Sequence, residues 1–128
     1  MLKQYSPATV APPFSRYSHG VEAPASARWL HISGQVGVRP EGKVADGAEA
    51  QIEQAWRNVL SVLAAAGMGP RNLVKVTTFL INRADLATAR AVRDRMLQGA
   101  APASTLLFVA GLASPDWLIE IEAIAAAE

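Results

Sequence analysis

Pro102–Ala125 reads PASTLLFVAGLASPDWLIEIEAIA and holds two apolar runs, Thr105–Ala110 and Trp117–Ala125, separated by Gly111-Leu112-Ala113-Ser114-Pro115-Asp116. The first run is almost continuously apolar. A short run of that kind predicts a strand buried on both faces, although periodicity alone leaves a buried helix open. In the second run Glu120 and Glu122 stand two residues apart, with Ile119, Ile121 and Ile124 interleaved. A period of two puts both carboxylates on one face of a strand and Ile119 and Ile121 on the other. The charged face is either the solvated outside of an edge strand, the usual place for carboxylates, or the wall of a pocket.

The chain ahead of this stretch supplies the other elements. Asn82–Gln98 predicts a helix with Leu86, Ala89, Val92 and Met96 turned inward and Gly99 closing it. Val74–Ile81, VKVTTFLI, is short and rich in β-branched residues, so it predicts a strand. Gly47–Ala66 is the strongest helical pattern: Ile52, Ala55, Trp56, Val59, Leu63 and Ala66 recur at spacings of three and four, between Asp46 as N-cap and Gly67 as stop. Pro40-Glu41-Gly42-Lys43 is a turn. Arg28–Val38 and Phe14–Ala23 alternate, and the short connection between them predicts an antiparallel pair. Residues 1–13 carry three prolines and predict an irregular lead-in with room for one short strand. The order of strands, helix, strand, helix, strands predicts an α+β domain with helices on one face of a sheet and the other face free to bury something.

Composition narrows the function. At 128 residues the chain makes one domain, 1–128. A net charge of +1 gives no electrostatic case for nucleic acid or an anionic membrane. There is no cysteine, hence no disulfide, no thiolate nucleophile and no thiolate metal site. The start, MLKQYSPATVAPPF, lacks the apolar core of a signal peptide, and no apolar stretch approaches a membrane span. A cytoplasmic protein with no membrane partner is therefore expected. The apolar fraction of 51% and mean hydropathy of +0.17 point weakly to surface buried in an oligomer.

Several segments, in order, resemble the RidA family, also called YjgF. Glu120–Ala125, EIEAIA, is similar to its C-terminal signature, and Pro102-Ala103 to the start of its preceding strand. Tyr17-Ser18-His19-Gly20 and Ser33-Gly34-Gln35-Val36 resemble two of its loop segments. Gln51, Gln54 and Asn58 stand at the spacing of its Gln-rich first helix, and Ala65-Ala66-Gly67 with Val74–Phe79 resembles that helix end and the next strand. The resemblance implies a chorismate-mutase-like (YjgF-like) mixed sheet with two helices packed on one face. It also implies a homotrimer with clefts between subunits, and hydrolysis of enamines and imines of amino acids to 2-oxo acids and ammonia without metal or cofactor. Carried over residue by residue, it makes Glu120 the catalytic group that positions or activates water, and Ser33 and Tyr17 cleft-lining, substrate-binding residues.

One departure bears on activity. Position 104, where the deaminating members carry arginine, holds Ser104. A guanidinium offers a carboxylate two parallel donors and a permanent charge; a hydroxyl offers one neutral donor. Losing a charged hydrogen bond in a desolvated cleft costs about 2–5 kcal/mol, or roughly 30-fold to several thousand-fold. Arg16 and Arg90 also depart from the family pattern, and Arg90 is the preferred substitute for the missing charge, making Ser104 and Arg90 substrate-binding candidates. The simpler reading of Arg90 is a solvated arginine paired with Asp94 four residues on.

Other constellations carry less. His19 and His31 have no metal-ligand spacing and read as structural or surface residues, with His19 a neutral hydrogen-bonding group near the cleft. Ser104-Thr105 has no base placed to activate it, and Gly34-Gln35-Val36-Gly37 lacks the ending of a phosphate loop. Trp29, Trp56 and Trp117 read as core or interface. Arg93 and Arg95 form no basic stripe with aromatics, so the endoribonuclease activity attributed to some relatives finds no support in these residues. The expectation is a small-molecule cleft serving an enamine/imine deaminase of altered substrate range; the alternative is a non-catalytic metabolite-binding member.

Overall fold

The Glu-Ile-Glu-Ala-Ile-Ala stretch becomes one of the two inner strands of the main sheet. The computed structural model describes residues 1–128. Its elements are β1 (Lys3–Tyr5), β2 (Gly20–Glu22), β3 (Arg28–Val36), α1 (Gly47–Ala65), β4 (Leu73–Leu80), α2 (Leu86–Leu97), β5 (Ala103–Phe108) and β6 (Ile119–Ala127), with single 3-10 turns at Pro70–Asn72 and Arg83–Asp85. The main sheet runs β3-β6-β4-β5. β6 is antiparallel to both β3 and β4, while β4 and β5 are parallel. The alternation in β6 is realised as the sequence predicts: Ile119, Ile121, Ala123 and Ala125 are buried, and Glu120 and Glu122 point to the opposite face.

Both helices cover the isoleucine face. The stripe on α1 buries Ile52, Ala55, Trp56, Val59 and Leu63 against Ile32, Val76, Leu80, Ile119 and Ile121. α2 packs beside α1 through Ala89, Val92 and Leu97. Burying a large apolar side chain stabilises by about 1.5–3 kcal/mol, so this one cluster is the main source of stability. α1 stops where Gly67 takes φ +71, a left-handed conformation that costs glycine little. No helix is long and apolar enough to cross a membrane.

Three expectations need correction. β2 does not pair with β3; it pairs antiparallel with β1, and β3 pairs with β6. The Phe14–Ala23 strand shrinks to Gly20–Glu22, because residues 14–18 turn back on themselves through Tyr17 N–H donating to the Ser15 carbonyl. β5 is not buried on both faces. It is the edge strand, with Thr105 and Leu107 exposed on the helix-free side and Ser104, Leu106 and Phe108 half-buried on the helix side. A run of apolar residues does not distinguish an inner strand from an edge whose outer side is apolar.

The glutamines and asparagine of α1 are struts. Gln51 is buried; its Nε2 donates to the Asp116 carbonyl (3.0 Å), and the Leu118 N–H donates to its Oε1 (2.9 Å). Asn58 Nδ2 donates to the carbonyls of Val36 (3.0 Å) and Val38 (3.1 Å), and Gln54 Nε2 donates to Asn58 Oδ1 (2.9 Å). These bonds satisfy the backbone where β3 ends and β6 is about to begin, where no strand partner is available. They fix where β6 starts, and so the height of Glu120 along the sheet.

Candidate functional site

The predicted residues fall on two opposite faces of the main sheet. Ser104 is in register with Val76 and Leu106 with Thr78, so both share the helix face. Tyr17 is brought to them by its neighbour Ser18. Ser18 is buried, its Oγ donates to the Ala101 carbonyl (2.6 Å) and its N–H to the Pro102 carbonyl (3.1 Å), stitching the loop to the start of β5. The Tyr17 hydroxyl accepts the Phe14 N–H (3.2 Å), closing the loop on itself. α2 completes the enclosure. Phe14, Ser15, Tyr17, Leu86, Arg90, Arg93, Ser104, Leu106 and Phe108 line a concavity of about 280 Å³. Tyr17, Arg90 and Ser104, singled out separately in the sequence, therefore share one pocket.

The pocket carries two guanidiniums and no acidic lining residue. Arg90 does not pair with Asp94, correcting the expected solvated pair; it is in none of the ion pairs of the chain. Asp94 instead takes Arg93, whose Nε and Nη2 both donate to Asp94 Oδ1 at 3.1 and 3.0 Å. Arg93 is 8% exposed. Sequence reasoning missed it as a pocket residue. The available signal was its position on α2, seven residues from Leu86 and four from Ala89 and Leu97, on the inward stripe where a solvated arginine has no place. Arg83 lies outside the lining with its guanidinium 4.8 Å from the centre of the Phe108 ring, a cation–π arrangement. Arg16 is exposed and not among the lining residues. His19 sits beside the pocket with its ring edge-on to Tyr17 at 6.1 Å, and its buried Nδ1 has no hydrogen-bond partner.

Ser33 and Glu120 lie on the helix-free face. Glu120 is in register with Phe79 and Val36, and Glu122 with Thr77. β3 bulges between Ile32 and Gln35, which drops the backbone at Ser33-Gly34 and re-aims it. The Glu120 carboxylate occupies the space above Gly34, where a Cβ would lie 1.8 Å from its Oε2. Ser33 borders a second concavity of about 280 Å³ with His31, Lys75, Thr77 and Glu122. A single chain thus brings Tyr17, Arg90 and Ser104 together, but not with Ser33 or Glu120. A larger concavity, about 490 Å³, lies between the chain ends around Arg71, Pro102 and Ala126 and holds none of these residues. No three His, Asp or Glu side chains gather to hold a metal; His31 borders the second concavity, and His19 is not among its lining residues.

Comparison with known proteins agrees with this fold. The family model described as Endoribonuclease L-PSP matches residues 8–127. A 2-iminobutanoate/2-iminopropanoate deaminase of Mus musculus is 35% identical over 122 residues, spanning 94% of this chain and 84% of that protein. The crystal structure of a Rid-family protein of unknown function, YyfB from Yersinia pestis, superposes with a TM-score of 0.90 at 38% identity, covering 98% of both chains. The YjgF gene product of E. coli superposes with a TM-score of 0.72 at 34% identity, over 96% of this chain and 94% of that one. The two helices on a four-stranded mixed sheet, the EIEAIA strand at its centre and these matches together show that the chain belongs to the RidA/YjgF family.

Proposed function

We propose that this protein is a hydrolytic enamine/imine deaminase acting in the cytoplasm without metal or cofactor, with a substrate range altered by Ser104 and with its cleft formed between the subunits of a homotrimer. The observation that carries the proposal is the gathering of Tyr17, Arg90 and Ser104 in one pocket with a guanidinium in no ion pair. The deaminase name of the mouse relative supports the reaction class. The placement of Glu120 and Ser33 on the opposite face supports a shared site: one subunit supplies the Arg90 pocket, and its neighbour brings Glu120 and Ser33 to the mouth. Exposed Trp29 and Leu107 on that same helix-free face are the apolar surface such an assembly would bury.

The chemistry is short. Arg90 holds the substrate carboxylate and the Tyr17 hydroxyl stands beside the reacting carbon. A water activated by the neighbour's Glu120 adds to the C=N carbon; the new C–O bond forms as the nitrogen takes a proton. Collapse of the carbinolamine breaks the C–N bond, releasing ammonia and leaving a 2-oxo acid. Ammonia release from freshly generated 2-aminoacrylate tests this. Wild type is expected to turn over, and Arg90→Ala to lose at least about 30-fold in kcat/KM, the low end for a desolvated charged hydrogen bond. An Arg90→Ala enzyme as active as wild type would remove Arg90 from the site. Ligand-dependent melting shifts without any turnover would instead make the protein a metabolite-binding member of its family.

A further inference from the structure

Arg93 is a buried cation with three of its five N–H donors unspent. Its Nε–Nη2 edge is fully used on one oxygen of Asp94. Its Nη1 donates to no protein acceptor, although the side chain is 10% exposed. Its unbonded end is not a buried orphan but reaches solvent, while the other edge is clamped, so an anion entering the concavity would replace water on a guanidinium already held in place. Asp94 fixes its plane, while its own side chain is 35% exposed and therefore better screened by water than the arginine it holds. The open group borders the same concavity as Arg90, three residues earlier on α2. Residues three apart lie on one face of a helix, so two guanidiniums address one concavity, each able to take one end of a short diacid. The small side chain at position 104 leaves open the room that a longer residue would fill.

We infer that Arg90 and Arg93 form a paired anion site, which makes the substrate class of this pocket the imines and enamines of dicarboxylic amino acids. Arg90 takes the carboxylate beside the reacting carbon and Arg93 takes the one at the far end of the side chain. The inference rests on the deaminase reading for the word substrate, but the recognition it describes does not require turnover.

The test is calorimetric binding of two 2-oxo acids that differ only in the far group, 2-oxoglutarate and 2-oxopentanoate. Wild type is expected to bind the diacid at least about tenfold more tightly, as a charge-assisted bidentate contact provides. Arg93→Gln is expected to bring that ratio close to one, and Arg93→Lys, which keeps the charge and loses the fork, to give an intermediate ratio. A wild-type ratio at or below one overturns the inference whether or not the variants fold. So does an Arg93→Gln protein that weakens both ligands by the same factor, which is the behaviour of a purely structural arginine. A clear diacid preference without ammonia release from any imine sustains the inference and overturns the deaminase reading. Ammonia release from monocarboxylate imines with no diacid preference does the reverse.

Discussion

Alanine in place of Glu120 is expected to lower ammonia release by about 10²–10⁴-fold, the usual contribution of a positioned general base, while moving the melting temperature by no more than about 2 °C. The second half of that expectation follows from what the carboxylate lacks. It is only partly buried and is in no hydrogen bond or ion pair of the chain, so the fold does not depend on it. A companion variant tests placement without removing the group. In Gly34→Ala the new methyl would stand 1.8 Å from Glu120 Oε2 and 2.7 Å from its Cδ. Those atoms are the free end of a flexible side chain, so the carboxylate swings away and the strand stays. Gly34→Ala should therefore resemble Glu120→Ala in rate and wild type in melting temperature. A Glu120→Ala protein retaining more than a tenth of wild-type turnover would show that water is activated elsewhere.

Three residues on, the same substitution should act on the fold instead. Gly37→Ala is expected to destabilise by about 3 kcal/mol, the upper end for overpacking, and to lower the melting temperature by about 10 °C. Here the added Cβ would meet Gln51 Cβ at 2.5 Å and its Cα at 2.6 Å. A backbone atom of α1 cannot rotate aside. The helix must lift, and with it goes the Gln51 amide that holds Asp116 and Leu118 ahead of β6. The core residues Ile52 and Trp56 follow on the same helix. Thermal unfolding of the two glycine variants side by side is the measurement; equal melting temperatures would contradict the difference drawn between them.

The fold could be read from the sequence where local pattern and burial agree. The α1 stripe and the Ile-Glu alternation of β6 each announce their own inner face, because side-chain period and core direction coincide there. Pairing was less legible. Whether β2 joins β1 or β3 depends on contacts distant in sequence, and three-residue strands carry too little pattern to choose. The site was legible in part. Tyr17, Arg90 and Ser104 could be named one by one, but the link that joins them, Ser18 bonded to the backbone of Ala101 and Pro102, is a tertiary bond between residues with no local signature. Arg93 escaped because arginine is usually a surface residue, and its partner Asp94 is its own sequence neighbour rather than the residue one turn away that helix rules favour.

The division of Arg90 and Glu120 between opposite sides of one sheet has a genetic consequence in the assembly proposed above. Each cleft would draw its anion-holding half from one chain and its water-activating half from the next. An Arg90→Ala chain and a Glu120→Ala chain are then each impaired alone, yet a mixed trimer regenerates clefts in which both halves are intact. Random co-assembly of equal amounts would restore about one quarter of the clefts. A cell expressing both defective chains would regain ammonia release that neither chain gives alone, so two losses in one gene would complement each other.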